Sequence, residues 1–133
     1  MNLPSFFKLL CVIACAAATT SVGAADGLAR EDGQRLLATC RQAERVIAGE
    51  PMGADERADA ILCIGFVEGF VWGHGWKTWR DTGDMYYCPP EGFGYRDAVP
   101  SVVSYLEEHP DRLIQRAHLL VFSALSSKFP CTP

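Results

Sequence analysis

Residues 55–73, DERADAILCIGFVEGFVWG, decide how this chain reads. Asp55 is placed to cap a helix, and Glu56 and Asp59 follow in its first turn, against the positive end of the dipole. Apolar or small residues then recur with helical period at Ala58, Ile61, Leu62, Gly65, Phe66, Gly69, Phe70 and Gly73. Gly65, Gly69 and Gly73 recur every fourth position and share one helical face. A glycine in a helix interior costs about 1 kcal/mol relative to alanine, so three in register predict a close helix crossing there. Glu68, His74 and Lys77 interrupt the apolar run, which argues against a membrane dimerisation face.

On the amino-terminal side, Asp32-Gly33 precedes a helical pattern of Leu36, Leu37, Cys40, Val46 and Ile47 that stops at Gly49-Glu50-Pro51. The two helices form an antiparallel hairpin about a turn near Pro51. Cys40 lies 11 residues before that turn and Cys63 lies 12 after it, so they sit at matching heights. Four cysteines allow three connectivities. The hairpin register favours Cys40–Cys63, which leaves Cys88–Cys131.

On the carboxyl side the periodicity disappears from Trp76 to Gly94. Trp76, Trp79, Met85, Tyr86, Tyr87 and Phe93 stand among Gly83, Pro89, Pro90, Gly92 and Gly94, the pattern of a long ordered loop. Helical spacing returns at Val99, Val102, Val103 and Leu106, with Asp97 as cap and Pro100 tolerable only in the first turn. His109-Pro110 breaks it. Leu113, Ala117, Leu120, Val121, Ala124 and Leu125 make the cleanest stripe, and Phe129-Pro130-Cys131 ends it. Strand signals are absent. The pattern predicts an all-α, small four-helix domain stapled by two disulfides.

The even count of cysteines depends on the amino terminus. Lys8 precedes the apolar run Leu9 to Ala18, and Val22, Gly23, Ala24 and Ala25 supply small residues for cleavage. These are the parts of a secretory signal peptide, here residues 1–25, cut near Ala24 or Ala25. The run is shorter than the about 18 apolar residues that cross a bilayer. Val12-Ile13-Ala14-Cys15 resembles a lipobox, but it lies too close to Lys8 to leave an apolar core between them. Cys11 and Cys15 leave with the leader. Cys40, Cys63, Cys88 and Cys131 then reach an oxidising compartment as two disulfides.

What remains is one domain of roughly 108 residues, small enough for disulfides to contribute noticeably. The whole chain carries 12 basic and 16 acidic residues, a net charge of −4, and loses the basic Lys8 with its leader. There is no basic cluster, so neither nucleic acid nor, after cleavage, a membrane surface is a suitable partner.

Catalytic and metal motifs find little support. No two of the four cysteines are close enough for a paired zinc site, and no C-x-x-C is present for thiol redox chemistry. Asp81 and Asp84 lack the rest of a calcium loop. His74 lies near Glu68 and Trp76, but no serine or cysteine nucleophile is arranged beside it; His109 belongs to a turn and His118 to the last helix. No cofactor and no metal are expected. The aromatic segment is the feature that points to function, because Trp and Tyr are enriched where proteins bind tightly. Trp79, Arg80, Asp84, Tyr86 and Tyr87 are the candidate partner-binding residues, whereas Trp72 reads as core packing.

The order of these features resembles a known family. Gly33-Gln34-Arg35-Leu36-Leu37 leads to Cys40, then Cys63-Ile64-Gly65-Phe66-Val67-Glu68-Gly69 and Cys88-Pro89 follow. Val103-Ser104-Tyr105-Leu106-Glu107-Glu108-His109-Pro110 comes next, then Leu119 to Leu125 and the Phe129-Pro130-Cys131 ending. Together these are similar to the Rap/Tai family of resistance-associated and type VI secretion amidase immunity proteins, over nearly all of residues 26–133. The resemblance implies a non-enzymatic periplasmic protein that binds a cognate peptidoglycan amidase effector and blocks its active site. Dimers are common in the family, so a homodimer is a further partner it implies. The rival classes are a periplasmic helical chaperone or envelope stress protein, and an enzyme built on His74 and Glu68.

Overall fold

Buried leucines and cysteines begin the fold at helix α1 (Gly33–Ile47), which turns Leu36, Leu37, Cys40 and Ala43 inward. The computed structural model describes residues 33–81 and 85–131, with side chains at 33–75 and 85–131. The leader assigned to residues 1–25 and Asp32 lie outside them. Helix α2 (Ala54–Asp81) returns antiparallel to α1, and α3 (Tyr95–Glu108) and α4 (Ala117–Lys128) complete the bundle. A 3-10 turn at Pro110–Arg112 joins the last two. Among the described residues there are four α-helices and no β-strand, and the all-α expectation holds.

The hairpin closes as its spacing requires. Cys40 and Cys63 are bonded, with Cα atoms 5.1 Å apart. Arg45, at the end of α1, donates to Glu50 at 2.7 Å in the turn and to Glu56 at 2.8 Å in the first turn of α2. Glu56 also accepts from the Gly53 N–H at 2.9 Å. The Arg45 guanidinium, then that N–H, hold the Glu56 carboxyl below the usual carboxylate range. Glu56 therefore does the capping expected of Asp55, which lies one residue inside the helix. Asp97 likewise caps α3 from its third position, accepting from the Gly94 N–H at 3.3 Å.

The core gathers Leu36, Cys40, Cys63, Val67, Val99, Val102, Leu106, Leu120, Val121 and Leu125, all at 0% exposure. Full burial of such an aliphatic side chain contributes about 1.5 to 3 kcal/mol. The stripe foreseen for the last helix is buried from Ala117 to Leu125, while Leu113 packs from the turn before it. Arg41 pairs with Glu107 at 2.8 Å across α1 and α3, but both are about half exposed, so the pair adds at most about 1 kcal/mol.

Three expectations need correction. The long loop begins later than Trp76, because α2 runs to Asp81; no proline or glycine breaks the chain between Gly75 and that end. Pro100 sits inside α3 beyond its first turn, where its missing N–H leaves one helical bond unmade. Gly65, Gly69 and Gly73 do not mark a close crossing. They face solvent, and a Cβ built on any of them meets nothing within 4 Å. Cys63 is held inward by its bridge, and at 100° per residue Gly65 lies about 160° around the helix from it. The glycine that does admit a neighbour is Gly33. A Cβ there would stand 2.4 Å from Leu120 Cδ1 and 2.9 Å from Leu113 Cα.

This placement reverses the expected sign of a substitution. Gly69→Ala should stabilise the protein by up to about 1 kcal/mol, since it improves helix propensity in open space. A higher urea midpoint with an unchanged slope is the expected result. A lower midpoint would restore the close crossing.

Candidate partner-binding site

Past α2, residues 85–93 are fastened to the end of α4. Cys88 is bonded to Cys131, with Cα atoms 4.8 Å apart, and the Cys88 N–H donates to the Phe129 carbonyl at 2.7 Å. The Phe93 and Phe129 rings meet edge to face at 4.9 Å. This fastening gives two adjacent tyrosines opposite fates. Tyr87 turns inward to 1% exposure, while Tyr86 stays 67% exposed. The Tyr87 hydroxyl is buried without a hydrogen-bond partner among the described residues, and burial pushes its pKa up to about 12.

Both tyrosines meet His74 on α2. Its ring stacks on Tyr87 at 5.1 Å and meets Tyr86 at 5.3 Å. Phe122 of α4 closes the group, 5.8 Å from Tyr86. Half a turn before His74, Trp72 projects into solvent at 71% exposure. Beside it an uncharged groove of about 230 Å³ is lined by Val71, Trp72, Met85, Tyr87, Pro90 and Phe93. That is below the roughly 300 to 1,000 Å³ of small-molecule sites, and suits a side chain from another protein.

The candidate residues divide accordingly. Tyr86 is presented to solvent. Tyr87 is corrected to a core residue, because its ring is the floor on which the segment packs. Trp79 and Arg80 belong to the last turns of α2, with side chains outside the described residues, and Asp84 lies outside them altogether. Trp72 corrects the opposite way, from core to surface. Nine residues separate it from Cys63, which places it about 180° around the helix from the inward bridge. That angle was the available signal. Met85, partly exposed, was missed as a member of the same surface.

The site offers an aromatic contact surface. Among the described residues, the rings of Phe70, Tyr86, Tyr87 and Phe122 lie within 6 Å of His74. Glu68 stands about 120° away around the helix. Among the described residues no three His, Cys, Asp or Glu side chains are grouped to hold a metal.

Residues 32–131 match the model of the Rap1a immunity proteins, well over half of the chain. The chain belongs to that family. Comparison with curated proteins gives no match, and neither does comparison with solved structures. Membership in the Rap1a family makes this a non-catalytic periplasmic immunity protein, whose partner is a peptidoglycan amidase effector of type VI secretion. The chaperone and enzyme classes give way to it. No helix among the described residues is long and apolar enough to cross a membrane.

Proposed function

We propose that the protein neutralises its amidase through the surface at the end of α2 and residues 85–93, anchored by Trp72 and Tyr86. The carrying observation is that Trp72, 71% exposed, walls an open apolar groove, and Tyr86, 67% exposed, stands in the chain between Met85 and Tyr87, two residues of the groove's lining. Large exposed apolar surface next to a pocket is where tight protein contacts concentrate. Trp79, Arg80 and Asp84 lie in the same stretch of chain and belong to this proposal as further contacts. Segment 85–93 is covalently tied through Cys88 to Cys131, three residues past the end of α4, so little ordering is required of its backbone on binding.

Hydroxyl-radical footprinting tests the assignment, because Trp, Tyr and Met are reactive probes already in place. Saturating amidase should reduce labelling of Trp72, Met85 and Tyr86 several-fold. Unchanged labelling of all three while the amidase is inhibited would overturn the proposal. Protection confined to Ile61 and Leu62, also exposed on α2, would move the surface to earlier turns of that helix.

A further inference from the structure

We infer that His74 is a positioning residue for the partner contact, orienting Tyr86 without touching the amidase itself. The inference rests on Tyr86 being a partner anchor. His74 is the common neighbour of rings from three parts of the chain. Phe70, one turn earlier on α2, lies parallel to it at 5.9 Å, and Tyr87 stacks on it at 5.1 Å. Phe122 comes from α4 at 5.8 Å, edge to face. Tyr86 meets the imidazole at 5.3 Å with the planes inclined by 48°.

Tyr86 is two-thirds exposed, yet among the described residues two rings meet it. His74 supports one side, and Phe122 meets it edge to face at 5.8 Å. Offset and edge-to-face contacts at these separations favour one arrangement of a ring over its alternatives. An exposed tyrosine without such support samples several rotamers and loses that freedom when a partner binds. A Tyr86 already fixed by His74 avoids that loss. The flat ring is the working feature, since both stacking and the inclined contact with Tyr86 depend on a planar face.

Calorimetric titration against the amidase, arranged as a double-mutant cycle, separates positioning from contact. His74→Ala should weaken binding about two- to tenfold, the cost of ordering one free side chain. His74→Phe should restore affinity, because it keeps the flat ring. In a Tyr86→Ala background, His74→Ala should change affinity less than about twofold, since the two act as one unit. In the free protein, NMR should show the dispersed Tyr86 ring signals collapsing in His74→Ala and persisting in His74→Phe. If His74→Ala does not fold, His74→Leu carries the same test, with volume kept and planarity lost. Equal losses with and without Tyr86 would overturn the inference, as would full affinity in His74→Leu while Tyr86→Ala binds weakly. Full affinity in Tyr86→Ala would instead refute the proposed surface, and the positioning role would fall with it.

Discussion

Replacing Cys40 and Cys63 together by alanine should lower the unfolding free energy by about 3 to 4 kcal/mol. The bridge spans 23 residues, and the chain-entropy model gives about 3 kcal/mol for a loop of that length. Both cysteines are at 0% exposure within the core, so the missing sulfurs also cost packing. A domain of this size has about 5 to 15 kcal/mol in total, which makes this one link a large share. Urea titration of the oxidised protein and the variant should show a lower midpoint, with a steeper slope from a more expanded unfolded chain. A difference under about 1 kcal/mol would mean that strain in the native bridge cancels its entropic gain.

The second bridge should behave differently. Cys88–Cys131 closes 43 residues and gives about 4 kcal/mol by the same model, but both cysteines are exposed and fill no cavity. Its removal also frees residues 85–93 from α4, and these carry Tyr86. Loss of the first bridge therefore acts on stability alone, whereas loss of the second acts on stability and partner binding together.

Much of the fold was legible in the sequence because burial and period coincide in α1, α3 and α4. The buried positions, Leu36 and Cys40, Val99, Val102, Val103 and Leu106, and Ala117, Leu120, Val121, Ala124 and Leu125, are apolar at helical spacing, although the last helix also exposes Leu119. The hairpin register was legible too, since two cysteines equidistant from a turn have few other ways to pair. Helix α2 was harder. It is apolar or small on almost every side, so periodicity cannot tell the face that meets the core from the face that meets solvent. The glycine spacing misleads here, and the residue that orients the helix is Cys63. Once that residue points to Cys40, Val67 must follow it inward, and Gly65 and Trp72 must point away. The buried state of Tyr87 was not legible. It depends on where the 85–93 segment is fastened to α4, a contact between residues far apart in sequence.

Trp72→Ala and Tyr86→Ala should each weaken amidase binding by about 2 kcal/mol or more, roughly a thirtyfold loss. Truncating a large aromatic anchor removes both its contact area and the water exclusion it provides to its neighbours. Trp72 should show the larger effect, as it is the bigger ring and also forms one wall of the groove. Tyr86 should follow closely, because His74 and Phe122 hold it in place before binding. Both side chains are largely exposed, so stability should change by no more than about 0.5 kcal/mol. The loss is expected in dissociation rather than association, since removing a contact leaves diffusional encounter unchanged. Ile114→Ala is the control: Ile114 is 83% exposed in the turn before α4, and its loss should leave affinity intact. Calorimetry against the amidase, paired with inhibition of peptidoglycan hydrolysis, measures each variant. Full affinity in both aromatic variants would transfer the contact to earlier turns of the same face of α2. There Ile61 is 62% exposed, and the open positions at Gly65 and Gly69 would let a partner's backbone approach.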